Sequence, residues 1–249
     1  MQRYFIDEAY QPNIQLTGEP HHHMLRVMRM TAGDQVFLVF KDQTSVKAEI
    51  TGIDADSVQL KEIEKETFSR ELPIEVTLAS GLPKGEKLEL IAQKATELGA
   101  HRFLAFPAVT SVVKWDNKKL QKKQQRLNKI IQEAAEQSHR QFLPQLAFLA
   151  SGKELVSAFK DYDAVLIAYE ESAKQGEQAQ LVQALQKLTP GSKLLVIFGP
   201  EGGFSPREVE TFQQAGAKLC GLGPRILRTE TAPLYVMSAV GFYYDLLND

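Results

Sequence analysis

Two short apolar runs near the C-terminus, each ending in a loop rich in glycine and proline, constrain the fold of this chain most strongly. The runs span residues 193–198 and 217–222, and the loops that follow them span residues 199–205 (GPEGGFS) and 222–233 (LGPRILRTETAP). Short continuous apolar runs are typical of strands buried in a parallel sheet. Ligands of open α/β sheets bind at the carboxyl ends of such strands. The sequence therefore predicts that the first loop (199–205) and the second loop (222–233) form one pocket.

The first loop also carries the signals of a helix start. Ser205 is a suitable N-cap, Pro206 suits the first helical position, and Glu208 stands where a capping-box partner is expected. The chain lacks the GxxxxGK[ST] pattern of a phosphate loop and has no GxGxxG motif after a strand. These absences disfavour a nucleoside triphosphate or a dinucleotide and favour a flat ligand held by backbone groups. The alternative is that both loops are tight turns with structural roles alone.

The pattern of elements changes after about residue 65, which predicts two domains. Before this point, short β-rich segments separated by turns indicate a small β-barrel with strands at residues 3–6, 35–40, 45–51 and 57–63. A polar stretch at residues 64–71 is interpreted as a linker. Beyond it, helices alternate with further predicted strands at residues 74–79, 103–106 and 164–168. One of these helices has an apolar stripe from Leu88 to Leu98. Such alternation is typical of an α/β domain with a parallel sheet.

Cysteine usage and the N-terminal sequence indicate the cellular compartment. The 249 residues include one cysteine, Cys220, which excludes an intrachain disulfide and favours a reducing environment. The N-terminus lacks the apolar core of a secretion signal. No apolar stretch approaches the ~20 residues that are needed to span a bilayer. We therefore expect a cytoplasmic protein.

The overall charge does not by itself suggest a nucleic-acid-binding protein. A net charge of −2 and a pI of about 6.2 lack the basic bias that phosphate contacts favour. Arg26 and Arg29 nevertheless lie close to the histidines at positions 21–23. A second basic cluster occupies one helical segment and comprises Lys114, Lys118, Lys119, Lys122, Lys123, Arg126 and Lys129. The alternative interpretation of this cluster is a solvated helix face. The histidines lack a nearby cysteine or a second acidic ligand, so no metal is expected.

At the two loops the sequence resembles a known family. Residues 199–205 followed by 222–232 are similar to the paired signature of the ribosomal RNA small subunit (16S) uridine-N3 methyltransferases, a bacterial branch of the SPOUT superfamily. The resemblance covers essentially the whole chain. Residues 84–99 (KGEKLELIAQKATELG) resemble the first helix of the family's catalytic domain, and residues 110–113 (TSVV) resemble the loop after it. Residues 133–140 (EAAEQSHR) resemble the family's Glu-Gln-Ser-Gly-Arg element. His139 departs from the family pattern, which has glycine at this place.

The resemblance implies a fold that general rules would not predict, because knots are nearly absent from proteins. It implies a SPOUT α/β-knot fold, with a PUA-like, RNA-binding β-barrel over residues 1–70 and a methyltransferase domain over residues 71–249. The second domain would contain a parallel sheet and a C-terminal trefoil knot. The resemblance also implies a homodimer, whereas the expectation of no membrane and no metal partner comes from the residues themselves. The final helix, residues 231–247, has enough apolar surface to contribute to a dimer, and packing on its own core is the alternative.

The activity that the resemblance implies is S-adenosylmethionine-dependent methylation of N3 of a specific uridine in 16S ribosomal RNA. Uridine N3 is a weakly acidic imide, so its activation needs a base for the proton or cations that stabilise the anion. Glu230 is the candidate base or orienting acceptor. Arg228 is the candidate stabiliser of the anion or clamp for a phosphate. An ion pair between Arg228 and Glu230 that only fixes the second loop is the structural alternative.

Candidate binding residues lie mainly in the two loops, because backbone groups in a dry pocket can hold adenine. The candidates for S-adenosylmethionine are Tyr169, Phe198, Gly199, Pro200, Gly202, Gly203, Leu222, Gly223, Ile226, Leu227 and Arg228. The candidates for RNA are Arg3, Arg26, Arg29, Lys114 and Lys118. Two other functions remain open. One is a different SPOUT activity on a ribose 2′-oxygen or another base nitrogen, and the other is a non-catalytic RNA-binding assembly factor.

Overall fold

The computed structural model describes residues 1–113, 115–170 and 180–247, which form two compact units. The N-terminal unit comprises Met1–Glu71 together with Ala135–Leu143. The C-terminal unit comprises Leu72–Ala134 and the described residues from Pro144 onward. Within these described ranges, no helix is both long enough and apolar enough to cross a membrane.

A five-stranded sheet forms the framework of the N-terminal unit. Its strands are β1 (Gln2–Ile6), β2 (Ile14–Thr17), β3 (Gln35–Phe40), β4 (Ser45–Ile53) and β5 (Ser57–Lys65). They are arranged in the order β1-β3-β4-β5-β2, with β1 parallel to β3 and the other neighbours antiparallel. Val36 and Leu38 of β3 pack with Met24 in a single buried core. Four of the five strands were predicted. β2 was not, because its four residues are too few to show a clear alternation of apolar and polar side chains.

The three consecutive histidines lie in a helical segment between β2 and β3. Helix α1 (Gly18–His22) continues as a π-helical turn, His23–Val27. His23 Nδ1 lies 3.0 Å from the Tyr4 hydroxyl, and His21 Nε2 lies 3.4 Å from the Asp54 carbonyl oxygen. Burial, together with the charge of Glu136, raises the pKa of Tyr4 to about 12. Among the described residues, no group of three His, Cys, Asp or Glu side chains is placed to hold a metal ion.

Arg3 is a buried residue of the N-terminal unit. Its side chain is 0% exposed, and Nη2 donates to both carboxylate oxygens of Glu66 at 2.8 Å. Nη1 donates to Ser45 Oγ at 3.3 Å, and the guanidinium carbon lies 4.9 Å from the centre of the Phe37 ring. A guanidinium without solvent exposure is not available to a phosphate group. The prediction that Arg3 contacts RNA is therefore wrong, because this side chain ties β1 to the segment after β5.

The polar stretch that was interpreted as a linker is part of the same unit. Glu66 pairs with Arg3 and Arg70, and Glu71 pairs with Arg140, which is 2% exposed. One oxygen of Glu71 also accepts from the backbone N–H groups of residues 141 and 142, at 2.8 and 3.1 Å. These bonds attach residues 135–143 to the N-terminal unit. The polar composition of residues 64–71 thus reflects ion pairing instead of a flexible connection.

His139 occupies a left-handed backbone conformation. Its φ angle is +56°, a region that glycine enters freely and that costs other residues about 1–2 kcal/mol. Glycine, which the family pattern has at this place, would adopt this backbone without that cost. The imidazole packs edge-on against Phe37, with ring centres 5.8 Å apart. Burial and the nearby charges of Arg3 and Arg70 lower the pKa of His139, which favours the neutral imidazole.

We expect substitutions at position 139 to follow the cost of a positive φ angle. His139→Asn should change the free energy of unfolding by less than about 0.5 kcal/mol, because asparagine tolerates this region. His139→Val should lower it by about 1–2 kcal/mol, because a β-branched side chain is strained there. Urea denaturation of the two variants measures the difference. Equal stability of the asparagine and valine variants would contradict the backbone interpretation.

A six-stranded parallel sheet forms the centre of the C-terminal unit. Its strands are β6 (Glu75–Gly81), β7 (Arg102–Phe106), β8 (Gln145–Phe148), β9 (Ala164–Ala168), β10 (Lys193–Phe198) and β11 (Lys218–Cys220). They lie in the order β11-β9-β10-β6-β7-β8, and every neighbouring pair is parallel. The described helices are α2 (Lys87–Glu97), α3 (Asn117–Gln137), α4 (Gly152–Ser157), α5 (Gln180–Lys187), α6 (Pro206–Gln214) and α7 (Thr231–Gly241). The α/β architecture predicted from the alternation of elements is confirmed.

Two strands differ from the prediction. β8 was not predicted, because this edge strand has only one buried residue and therefore a weak apolar signal. β11 has three residues, so the chain leaves the sheet earlier than the run 217–222 suggested. The core is unaffected by either difference. Phe204 of the first loop stacks on Phe106 and packs edge-on against Phe212, and these contacts fix the loop to the core.

Candidate active site

A cavity of about 780 Å³ lies at the carboxyl ends of β9, β10 and β11. This volume is in the range of sites that bind small molecules and cofactors, roughly 300–1,000 Å³. All eleven residues predicted to contact the cofactor line it: Tyr169, Phe198, Gly199, Pro200, Gly202, Gly203, Leu222, Gly223, Ile226, Leu227 and Arg228. Because β9 lies between β10 and β11 in the sheet, the ends of these strands bring the two loops to one place.

The first loop is held by hydrogen bonds on both of its sides. Ser205 and Glu208 form the predicted capping box at the start of α6, with Ser205 N–H donating to Glu208 Oε2 at 2.9 Å. The other oxygen of Glu208 accepts from Val109 N–H at 2.8 Å. The Thr110 hydroxyl donates to the carbonyl of Gly203, which has a φ angle of +66°. These hydrogen bonds fix the conformation of the first loop.

Gly81, at the end of β6, allows the first loop to approach the sheet closely. A Cβ atom at this position would lie 2.6 Å from Pro200 Cδ and 3.0 Å from Pro200 N. It would also lie 3.3 Å from Ala108 Cβ. Neither a proline ring nor a backbone nitrogen can move aside without moving the loop. The absence of a side chain at position 81 thus sets one wall of the cavity.

We expect Gly81→Ala to lower the free energy of unfolding of the C-terminal unit by about 1–3 kcal/mol, as overpacking of a core does. Urea denaturation followed by Trp115 fluorescence measures this effect. Gly152→Ala is the matched control, because its Cβ would meet only the Phe212 ring at 3.8 Å. The control should remain within about 0.5 kcal/mol of the parent. A Gly81→Ala protein as stable as the control would show that the loop moves without cost.

The second loop offers backbone groups to a ligand. Among the described residues, none hydrogen-bonds to the backbone of residues 222–227. Gly223 has a φ angle of +88°, so the chain turns sharply beside the cavity. Leu222 and Leu227 add apolar surface to the same wall. N–H and C=O groups that have no partner in the described part of the chain, next to apolar side chains, suit the edge and the faces of an adenine, so the site fits S-adenosylmethionine.

Lys87 connects the two loops. Its Nζ lies 3.0 Å from Glu201 Oε1 in the first loop and 3.3 Å from Glu230 Oε2 in the second. The hydrogen bond to Glu201 is the main cause that raises the pKa of Lys87; partial desolvation opposes this shift and Glu230 adds to it. Desolvation would raise the pKa of Glu201, but hydrogen bonds from its own backbone and from Lys87 lower it on balance. The ammonium therefore stays charged between two carboxylates.

The two predicted catalytic residues occupy different surroundings. Arg228 is exposed and lines the cavity, and it forms no ion pair within the described part of the chain. Glu230 is largely buried, with 16% of its side chain exposed, and its ionic partner is Lys87. The alternative in which Arg228 and Glu230 pair to fix the loop is therefore wrong. Lys87 was missed, because nothing in its own helix signals contacts with two loops that are distant in sequence.

Comparison with known proteins identifies the family. A model of the RNA methyltransferase domain matches residues 70–241, and a model of the RNA methyltransferase PUA domain matches residues 16–63. The ribosomal RNA small subunit methyltransferase E of Bacillus subtilis is 48% identical over 252 residues, covering 99% of this chain and 98% of the relative. The chain belongs to the ribosomal RNA small subunit methyltransferase E family.

Solved structures agree with membership of the methyltransferase E family. A crystal structure of a hypothetical protein is 46% identical, with a TM-score of 0.92, and covers 99% of this chain and 100% of that chain. A methyltransferase structure from Legionella pneumophila, in complex with the bound cofactor SAM, is 29% identical. Its TM-score is 0.81, and the match covers 97% of each chain. The predicted combination of an α/β domain built on a parallel sheet with a small N-terminal PUA domain is confirmed.

The basic residues predicted to contact RNA have different exposures. Arg26 and Arg29 are exposed in the N-terminal unit, and Arg29 has a φ angle of +55°. Lys118 is exposed near the start of α3, whereas Lys114 lies outside the described residues. Further along α3, Lys123 and Arg126 both pair with Glu89 of α2, at 2.8 and 2.7 Å. The basic cluster is therefore partly a structural contact and partly a solvated face.

Proposed function

We propose that this chain transfers a methyl group from S-adenosylmethionine to N3 of a specific uridine in 16S ribosomal RNA of the small subunit. The proposal rests on one observation. The ends of three strands form a single cavity, and Glu230, which is ion-paired with Lys87, lies next to it. The name of the Bacillus subtilis relative and the SAM-bound structure from Legionella pneumophila support it. Because the proposed substrate is ribosomal RNA, we expect the protein to act in the cytoplasm.

The eleven residues predicted to contact the cofactor, all of which line the cavity, are proposed to hold it. The backbone groups of residues 222–227 would bind the adenine edge, and the glycines of the first loop would let the chain approach the ligand closely. When bound, S-adenosylmethionine supplies an electrophilic methyl group, which becomes bonded to N3 while its bond to sulfur breaks. The residues of the site supply position, exclude water and handle the proton.

Glu230 and Arg228 are proposed to activate the uridine. Glu230 would take the N3 proton, because its carboxylate lies next to the cofactor cavity, where Lys87 Nζ is 3.3 Å from its Oε2. Arg228 would place a positive charge near the anion that this proton transfer leaves, or near a phosphate of the same nucleotide. Its side chain is free for either contact, because it is exposed at the edge of the cavity.

RNA binding and dimer formation are proposed for separate surfaces. Arg26, Arg29 and Lys118 would contact phosphates, together with Lys114. We propose a homodimer because α7 and the π-helical turn that follows it (Phe242–Leu247) expose large apolar side chains, with Tyr235 at 42%, Phe242 at 55% and Leu246 at 70%. We also propose that residues 1–70 form the RNA-binding barrel and residues 71–249 the methyltransferase domain with the knot. With these bounds, residues 135–143 fall within the methyltransferase domain along the sequence, although in the structure they are part of the N-terminal unit.

Mass spectrometry of nucleosides tests the proposed reaction. Small ribosomal subunits from cells that lack this gene are incubated with the purified protein and S-adenosylmethionine, and their RNA is digested. We expect 3-methyluridine at a single position. A ribose-methylated nucleoside or another methylated base would assign a different SPOUT activity. Affinity for the subunit without any methylated product, and without affinity for S-adenosylmethionine, would assign a binding factor.

A further inference from the structure

A second cavity, of about 500 Å³, lies next to the cofactor cavity in the C-terminal unit. Much of its wall is formed at the start of α2 by Glu86, Lys87, Glu89, Leu90 and Gln93, and Ile130 of α3 and Glu230 complete it. Among the described residues, Lys87 alone lines both cavities. Glu230 lines the second cavity and not the first. The candidate base thus lies outside the lining of the cofactor cavity, and its ionic partner Lys87 belongs to both linings.

This arrangement restricts where a substrate can bind. A substrate that accepts a group from a ligand in the first cavity and gives a proton to Glu230 must reach both places at once. Lys87 marks the point where the two cavities meet. The reacting edge of such a substrate therefore lies beside the Lys87 ammonium, and the rest of it occupies the second cavity.

The second cavity is suited to a neutral group that both donates and accepts hydrogen bonds. Three carboxylates, of Glu86, Glu89 and Glu230, outnumber the single ammonium of Lys87 among the lining residues, which disfavours a phosphate. The Gln93 amide offers a donor and an acceptor, and Leu90, 41% exposed, offers apolar surface. The uracil edge has the complementary pattern, with one N–H donor between two carbonyl acceptors.

Cations border this cavity from the side of α3. Glu89 accepts from Lys123 Nζ at 2.8 Å and from Arg126 Nε at 2.8 Å, so the basic face of α3 reaches the wall of the second cavity. Enzymes that act on a base take it out of the stack while its backbone stays outside the pocket. The base and its backbone would therefore bind to different surfaces here. The phosphates would stay on the basic face of α3, and the base would enter the second cavity.

We propose that the second cavity binds the target uracil base, and that Lys87 donates a hydrogen bond to one of the carbonyl oxygens that flank N3. This inference rests on the proposed function. The N3 proton passes to Glu230, and the Lys87 ammonium stabilises the negative charge that spreads onto the carbonyl oxygen. The new N3–methyl bond forms, and the electron pair of the broken methyl–sulfur bond stays on sulfur. Glu230 then releases its proton to water, while the raised pKa of Lys87 keeps the ammonium charged.

Variants of Lys87 test its role in the reaction. Lys87→Gln should lower the single-turnover rate about 10²-fold at neutral pH, as the loss of one donor to a developing anion does. Raising the pH should recover part of this loss, because the imide then ionises without help from the cation. Lys87→Arg should retain more activity than Lys87→Gln. Lys94→Gln is the matched control, because this lysine pairs with Glu97 on the surface of the same helix, and its rate should be unchanged.

A bulky substitution tests the cavity without relying on activity. Leu90→Trp should weaken binding of the small subunit about 10-fold in the absence of cofactor, and calorimetry should show unchanged affinity for S-adenosylmethionine. Leu98→Trp is the control, because Leu98 is 36% exposed at the end of α2 and lines neither cavity. It should bind the subunit as the parent does.

The outcomes separate this inference from the proposed function. A parent protein that forms no 3-methyluridine would overturn the proposed function and the inference with it. A parent that methylates, together with Lys87→Gln and Leu90→Trp proteins that behave as their controls, would overturn the inference alone. A third outcome would also overturn the inference. The Leu90→Trp protein could bind the subunit normally but sediment differently from the parent, and the second cavity would then be assigned to a contact between two copies of the chain.

Discussion

Replacing Glu230 with glutamine should lower the single-turnover rate of methylation about 10²–10⁴-fold, the contribution of a positioned general base. Glutamine has the same shape as glutamate and cannot take the N3 proton. The affinity for S-adenosylmethionine should remain within about twofold of the parent, because Glu230 does not line the cofactor cavity. Rapid-quench assays with small ribosomal subunits measure the rate, and calorimetry measures the affinity.

Glu210→Gln is the matched control for this substitution. Glu210 is exposed on α6 and lines neither cavity, so its variant should methylate at the parent rate. Raising the pH should partly restore the Glu230→Gln rate, because hydroxide can then remove the proton. A Glu230→Gln protein with a near-normal rate at neutral pH would remove Glu230 from the mechanism. The base would then have to be sought among the other groups around the two cavities.

Replacing Arg3 with methionine should lower the stability of the N-terminal unit by about 3 kcal/mol. Removing one partner of a buried ion pair costs roughly 3–5 kcal/mol, because the remaining charge is left without compensation. The lower end of this range applies, since Glu66 keeps Arg70 and the Ser45 hydroxyl as partners. Hydrogen exchange of the β3 and β4 amides, followed by mass spectrometry, measures the loss in this unit directly.

The pH dependence of stability separates the buried pair from a surface effect. Desolvation would raise the pKa of Glu66, but hydrogen bonds from Ser45 and Arg3 and the charge of Arg3 lower it on balance. A carboxyl whose pKa is lower in the folded state contributes stability above its unfolded pKa and loses it as the pH falls through the folded value. The advantage of the parent over Arg3→Met should therefore shrink below about pH 4.5, the ordinary glutamate value.

Lys41→Met provides the control for Arg3→Met. Lys41 pairs with Asp7 at 3.0 Å in the same unit, but 69% and 92% of the two side chains are exposed. Exposed pairs contribute about 0–1 kcal/mol, so this variant should be nearly as stable as the parent. An Arg3→Met protein of parental stability that has lost affinity for RNA would contradict the structural role of Arg3 and restore it as an RNA contact.

The apolar runs and the helix signals predicted much of the C-terminal unit. β9 and β10 have the predicted bounds, and Ser205 and Glu208 form the predicted capping box. Such features depend on neighbours along the chain, which a sequence displays directly. β2 and β8 were not predicted, because a short strand or an edge strand buries too few side chains to leave a clear period. The paired loops identified the cofactor cavity, because their residues follow neighbouring strands.

What the sequence determined by itself was the order of strands and helices, the capped loop and the residues at the strand ends. Only the tertiary structure decided which charges are free and which are paired. Arg3 and Lys118 look alike as basic residues, yet one is buried against Glu66 and the other is exposed. Lys87 gained its importance from two glutamates on separate loops. The physical reason is that burial and ion pairing depend on distances through space, and residues far apart in the chain become neighbours only when the sheet forms.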